Sequence, residues 1–227
     1  MSNSTHQQPA DPLDLLEEGA RTLGVDLASQ TREWCRVYLE ELCRWNARVN
    51  LTGLKSPEEM VRYLFLDALA LLAFLGEPSS LLDVGSGAGF PGLVLKLVRP
   101  GLALTLVESR GKKAAFLEYL TSLLGLDRVE VLQVRLNLKL AREWGPRYAA
   151  VTSRAAFALE QFLKLAAPLL QPGGLALAPK GRELPEPELA AARRALPRLG
   201  LGELTLKPYY LPLSGETRLL ALARKRR

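Results

Sequence analysis

The residues with the clearest chemical potential lie in one decapeptide, Asp83-Val84-Gly85-Ser86-Gly87-Ala88-Gly89-Phe90-Pro91-Gly92. An apolar run, Leu81-Leu82-Asp83-Val84, leads into glycines at alternate positions, and Pro91 comes next as a residue suited to open a helix. Glycine has no side chain to collide with a ligand, so such a turn can bring main-chain groups against a bound molecule. The stretch also contains Gly87-x-Gly89-x-x-Gly92, the spacing of a dinucleotide-binding fingerprint, and glycine spacing alone leaves the ligand open. Two acids belong with the glycines. Asp83 stands just before them, and Glu108 ends the next apolar run, where a carboxylate can accept hydrogen bonds from both hydroxyls of a ribose. The plainer alternative for both is a strand-end carboxylate that caps a nearby backbone N–H.

Other chemistries are poorly supplied. His6 is the sole histidine, and it falls in a polar leader, residues 1–12, expected to be disordered. Ser or Cys triads, zinc clusters and an H-E-x-x-H site therefore lack their parts, and no metal is expected. Cys35 and Cys43 lie about 12 Å apart at helical rise, too far for a disulfide. At the end of the fourth apolar run stands Val151-Thr152-Ser153-Arg154-Ala155, with neither an Asn-Pro-Pro-Tyr-like motif nor a Pro-Cys nucleophile. That leaves an acceptor that is already nucleophilic and needs alignment more than deprotonation.

These residues must be positioned by regular elements. Over 13–75 the periodicity is helical, with Trp34, Val37, Tyr38, Leu42, Trp45 and Val49 forming one stripe, and Ser56-Pro57-Glu58-Glu59 reads as a capping box opening a further helix. From residue 77 short apolar runs alternate with helical stretches. Strands are expected at 80–84, 103–108, 129–133, 149–153 and 175–178, with helices at 91–98, 112–124, 137–143, 158–170 and 187–199, which is a parallel α/β sheet. Two final strands, 203–211 and 218–224, are joined by a link that permits only an antiparallel hairpin. The expected organisation is a leader (1–12), an N-terminal helical subdomain (13–76) and an α/β domain (77–227).

A closing antiparallel hairpin is foreign to a dinucleotide fold. Together with Asp83, Glu108 and the turn Gln171-Pro172-Gly173-Gly174, it is similar to class I methyltransferases, which are Rossmann-like with a seven-stranded sheet and an antiparallel last strand. More specifically, the segments Trp45-Asn46, Asn50-Leu51-Thr52, 83–92, Glu108-Ser109 with Lys112-Lys113, Phe116-Leu117, Ser153-Arg154-Ala155, Lys180-Gly181 and 212–218 resemble the RsmG (GidB) family. Its members methylate N7 of a guanine in small-subunit ribosomal RNA. The resemblance implies S-adenosylmethionine as cofactor. It places Gly85, Gly87 and Gly89 at the methionine end and Glu108 at the ribose, with Asp83, Ser86, Phe90, Ser109, Asn137 and Arg154 completing the cofactor site. Arg154 and Lys180 would be catalytic, on the face where the base arrives, and Lys112, Lys113, Lys180 and Arg218 would contact RNA. Where the family has a His three residues before the Asp of the second helix and a Ser after it, this chain has Leu64 and Ala68 beside Asp67, and its Arg135-Leu136-Asn137-Leu138 lacks the family's acidic pair.

Composition agrees with such a protein. The 227 residues are 48% hydrophobic and 24% charged, ordinary values for a folded chain. A net charge of +6, a pI near 9.5 and the ending Arg224-Lys225-Arg226-Arg227 point to an anionic partner. The apolar run at 64–75 is interrupted by Asp67 and too short to cross a bilayer. The expectation is a soluble cytoplasmic monomer with no membrane partner, acting on small-subunit rRNA or the 30S particle. Two other readings stand beside it: a non-catalytic RNA-binding assembly factor that keeps the fold, and an NAD-dependent oxidoreductase.

Overall fold

The computed structural model describes residues 11–227, so His6 and most of the expected leader lie outside the described residues. At the end of that segment the Asp11 carboxylate accepts from the Leu13 N–H at 2.8 Å and caps helix α1 (Pro12–Thr22), with Pro12 in the first turn. Helix α2 (Ser29–Val49) buries Thr31, Cys35, Tyr38, Leu39 and Leu42, while Trp34, Val37, Trp45 and Val49 of the expected stripe flank that face half-buried. The capping box at Ser56 and Glu59 is formed and opens α3 (Pro57–Met60). Beyond Met60 the chain does not continue as one regular helix. A π-helical turn, Val61–Phe65, separates α3 from α4 (Leu66–Ala70), and a break at Leu71 precedes α5 (Leu72–Leu75).

The remaining chain alternates strand and helix: β1 (Ser80–Val84), α6 (Gly92–Val98), β2 (Ala103–Glu108), α7 (Gly111–Leu123), β3 (Val129–Gln133), α8 (Leu138–Trp144), β4 (Tyr148–Thr152), α9 (Leu159–Ala166), β5 (Leu170–Lys180), α10 (Glu186–Leu199), β6 (Thr205–Leu211) and β7 (Glu216–Arg224). The strands form a seven-stranded sheet in the order β3-β2-β1-β4-β5-β7-β6. Only β7 runs against its neighbours, pairing Lys180 with Leu219 and Leu175 with Arg224 on one side and β6 on the other. This is the expected architecture. Its largest departure is β5, expected at 175–178 but beginning at Leu170, because the Pro-Gly-Gly segment is itself extended. Gly173 donates to the Lys225 carbonyl and Lys225 to that of Gly174, and a Cβ on Gly174 would lie 2.9 Å from the Gln171 oxygen.

Alternation along the strands builds two cores. Leu81, Leu104, Leu106, Leu175 and Leu177 face one side, where α1 to α7 cover them. Leu82, Val84, Val151, Ala176 and Ala178 face the other, under α8, α9 and α10. The helices of 13–76 thus share a core with the sheet, and Tyr38 is the tie. Its ring stacks on Phe90 at 5.0 Å, meets Phe65 edge-on, and its hydroxyl donates to the Ala88 carbonyl at 2.6 Å. Helix α2 therefore reaches into the glycine turn from behind. Replacing Tyr38 with Phe keeps the ring contacts and strands a buried carbonyl, so it should lower the unfolding free energy in urea by about 1–3 kcal/mol. A variant with unchanged stability would mean that the Ala88 carbonyl finds another partner.

Candidate active site

The glycine turn is held by what lies behind it. Gly85, Gly87 and Gly89 all have positive φ (73°, 60° and 102°), conformations L side chains rarely adopt. A Cβ at Gly89 would sit 2.6 Å from both the Tyr38 hydroxyl and a Leu93 methyl, and one at Gly92 would sit 2.8 Å from Asp83 Oδ2. The Gly85 and Ser86 amides both donate to the Val107 carbonyl, at 2.8 and 3.0 Å, and the Ser86 hydroxyl donates to the Asp83 carbonyl. The turn is thereby pinned between the ends of β1 and β2.

A cleft of about 680 Å³ opens beside it, at the C-terminal ends of β1 to β4. That volume is within the roughly 300–1,000 Å³ of small-molecule sites. Of the expected cofactor residues, Gly85, Ser86, Gly87, Phe90, Glu108, Ser109, Asn137 and Arg154 line it, joined by Leu51, Thr52, Leu64, Val107, Leu136 and Phe157. Two expected residues do not. Asp83 is fully buried behind the turn: Oδ2 accepts from the Gly92 N–H at 2.9 Å and so fixes the start of α6, while Oδ1 has no hydrogen-bond partner among the described residues. Gly89 turns its open side to Tyr38, which explains why glycine is needed there without any ligand.

Glu108 combines both roles considered for it. Oε2 accepts from the Gly87 amide at 2.9 Å and Oε1 from the Arg110 amide at 2.7 Å, and the carboxylate still lines the cleft with lone pairs to spare. Asn137 lines the opposite wall, but its carbonyl accepts from Leu140 N–H at 2.9 Å as the N-cap of α8, so only its amide NH₂ remains to donate. Asn46 and Asn50 are turn residues: Asn46 bonds Leu54 and Thr52, and Asn50 ends α2 in the left-handed conformation.

The cations expected to meet RNA divide into groups. Lys112 is exposed and outside the cleft. Lys113 instead lines the cleft, where its ammonium donates to the Leu51 carbonyl at 2.9 Å and burial lowers its pKa. Arg154 lines both the cleft and an adjoining cavity of about 340 Å³, whose walls include Asp67, Lys180, Gly181, Arg182 and Arg218. None of its three expected cations is a free charge. Arg154 and Arg218 each lie 3.0 Å from Asp67, and Lys180 lies 3.0 Å from Glu188 and donates to the Phe157 carbonyl. The basic ending lies elsewhere. Because β7 is antiparallel, Arg224 sits beside Leu175 at the opposite end of the sheet from Lys180, and Lys225 donates to the Leu199 carbonyl at the end of α10.

Missing from the sequence reading were the tether from Tyr38 and the buried partner, Asp67. The latter left a signal, since a lone carboxylate inside the apolar run 64–75 is costly to bury without cations beside it. Among the described residues no cluster of His, Cys, Asp and Glu could hold a metal, and no helix is long and apolar enough to cross a membrane.

The family model for rRNA small subunit methyltransferase G matches residues 32–208. The chain is 41% identical over 212 residues to ribosomal RNA small subunit methyltransferase G of Myxococcus xanthus, covering 93% of this chain and 96% of the relative. It is 42% identical over 203 residues to the protein of that name from a Roseiflexus species, covering 88% and 86%. In fold it is similar to a SAM dependent methyltransferase from Aquifex aeolicus, with a TM-score of 0.56 at 17% identity over 78% of this chain and 97% of that one.

Burial raises the Asp83 pKa to about 7, against the opposing effect of its bond from Gly92. A folded state that holds this proton more tightly than the unfolded chain is favoured below the ordinary aspartate pKa, and that advantage is lost as pH rises through about 7. Asp83→Asn is neutral at every pH and keeps an acceptor for Gly92. Relative to the parent, its unfolding free energy in urea should therefore climb between about pH 4 and about pH 7. Parallel pH profiles for the two proteins would show that the carboxyl titrates normally.

Proposed function

The chain belongs to the rRNA small subunit methyltransferase G family, and we propose that it transfers the methyl group of S-adenosylmethionine to N7 of a guanine in small-subunit (16S) ribosomal RNA. The observation that carries the choice of acceptor is the absence of a free base in the cleft. Among the described lining residues Glu108 is the sole carboxylate and both of its oxygens already accept backbone N–H groups, the sole lysine, Lys113, has its ammonium engaged with the Leu51 carbonyl, and there is no His, Cys or Tyr. Guanine N7 suits such a site, because it presents a lone pair on the major-groove edge and has no proton to lose.

The residues present fit the cofactor. The glycine turn is open where a Cβ on Gly87 would meet no side chain, the cleft is large enough, and Glu108 is a carboxylate with unused lone pairs beside that turn. Gly85, Ser86 and Gly87 would hold the methionine end and Glu108 the ribose, while the Asn137 NH₂ is free to donate to the adenine. When bound, the cofactor supplies a methyl group made electrophilic by its sulfonium. Guanine N7 would take up that methyl group without giving up a proton, so the protein's own contribution would be alignment and electrostatics. Arg154 and Lys180, on the cavity that adjoins the cleft, are the residues we assign to the incoming nucleotide, gripping its phosphate or the guanine O6. Lys112 and Arg182 supply further positive charge outside the cleft.

Glu108→Ala should weaken S-adenosylhomocysteine binding by about ten- to a hundredfold in calorimetry, the usual worth of a charge-assisted hydrogen bond. Asn137→Ala, whose carbonyl serves α8, should change it by about threefold or less. Equal losses would place the ribose away from Glu108. The reaction itself is tested by labelled methyl transfer to small subunits from cells lacking this modification, with the product mapped by cleavage specific for 7-methylguanine. Transfer to a single guanine is expected. Cofactor binding without transfer to rRNA would favour a non-catalytic assembly role, and NAD binding in place of S-adenosylhomocysteine would overturn the proposal.

A further inference from the structure

Asp67 does not line the cofactor cleft, yet three distant parts of the chain converge on it. It is 2% exposed, in α4. Oδ2 lies 3.0 Å from Arg154 Nη1 and 3.0 Å from Arg218 Nη1, and Oδ1 accepts the Tyr209 hydroxyl at 2.7 Å. Arg154 has a second tether on the same stretch of helix, the Tyr63 carbonyl at 2.9 Å. Tyr63 belongs to the π-helical turn, where the widened hydrogen-bond pattern alters which carbonyls are left for other donors. The segment that carries Arg154 is itself constrained. Ser153 donates to the Val84 carbonyl at 2.7 Å, and Ala155 has φ of 55°, a left-handed conformation that an alanine adopts only when its surroundings impose it.

From this convergence we propose that Asp67 is a positioning residue for methyl transfer. It holds the Arg154 guanidinium on the partition between the cofactor cleft and the adjoining cavity, while Tyr209 and Arg218 of the closing hairpin fix the carboxylate in turn. The proposal rests on the reading that Arg154 serves the incoming nucleotide. An arginine on a partition between two cavities has many rotamers, and a buried carboxylate below it removes most of them before substrate arrives. The charges also favour this role. Asp67 divides its charge between two guanidiniums, and the cavity's other carboxylate, Glu216, lies 3.5 Å from Arg218, so Arg154 is held still by a shared partner and keeps part of its charge for an anionic or carbonyl group in the cavity. Burial and the adjacent carboxylate push the Tyr209 phenol well above its ordinary pKa, so it stays a donor to Asp67.

The test is a double-mutant cycle of Asp67→Asn and Arg154→Ala. Rates of methyl transfer to small subunits, S-adenosylhomocysteine affinity and thermal unfolding are measured on the parent, both single variants and the double. Asp67→Asn should keep cofactor affinity within about threefold while kcat falls about tenfold or more, and it should cost nothing further in the Arg154→Ala background. A merely structural role would lower cofactor affinity together with stability and would add fully to Arg154→Ala; either that result or an unchanged rate overturns the proposal. Wild-type rates in Arg154→Ala would instead overturn the reading of Arg154, and the proposal with it. Should Asp67→Asn fail to bind cofactor because it does not fold, Tyr209→Phe takes its place. Freed of one hydrogen bond, the carboxylate should lose about threefold in kcat, again only when Arg154 is present, and full additivity overturns the proposal.

Discussion

A backbone turn can approach a ligand closely only if its own polar groups are satisfied from the other side, and this constraint organises the molecule. Three glycines at positive φ give the turn its shape, but they do not hold it. The Val107 carbonyl, the Glu108 and Asp83 carboxylates and the Tyr38 hydroxyl do, from β2, from β1 and from α2. Buried polar groups are expensive unless paired, so each of these bonds also forces its element into register with the others. The N-terminal helices are for this reason part of the sheet's core and not an appendage to it.

A second set of buried bonds does for the adjoining cavity what the first does for the cleft. Asp67 joins α4 to β6 through Tyr209, to β7 through Arg218, and to the segment after β4 through Arg154. Arg154 also stands 5.9 Å from the ring of Phe90, at the end of the glycine turn. The two networks meet at Phe90, which packs with Tyr38 and Phe65 on one side and faces the guanidinium on the other. One aromatic cluster thus sets the spacing between the two halves of the site.

Sequence alone made local features legible. The glycine turn, the capping box at Ser56 and the first three strands could be placed because their signals lie within a few residues, as chain stiffness and hydrogen-bond geometry require. The length of β5 was hidden, since proline and glycines suggest a turn, and only the far end of the chain supplies the partner that keeps Gly173 and Gly174 extended. The partners of the site were hidden for the same reason. Tyr38 and Ala88 are 50 residues apart, Asp67 and Arg154 are 87 apart, and Asp67 and Tyr209 are 142 apart. Residue types could mark Arg154, Lys180 and Arg218 as cations near a site. They could not tell that each already has a carboxylate beside it, or that Asp83 bonds the first amide of a helix from behind the cleft.

The reversed direction of β7 has a practical side. Its first residues stand by Lys180 and the cavity that adjoins the cleft, and its last stand at the other end of the sheet, where Lys225 is fastened to α10 and to the Gly173-Gly174 backbone. A linker attached after Arg227 would leave the molecule from the pole facing away from both cavities. Immobilising the protein or fusing a reporter through that end would leave both cavities open, whereas an insertion in the turn between β6 and β7 would hang beside the cavity that Glu216 and Arg218 line.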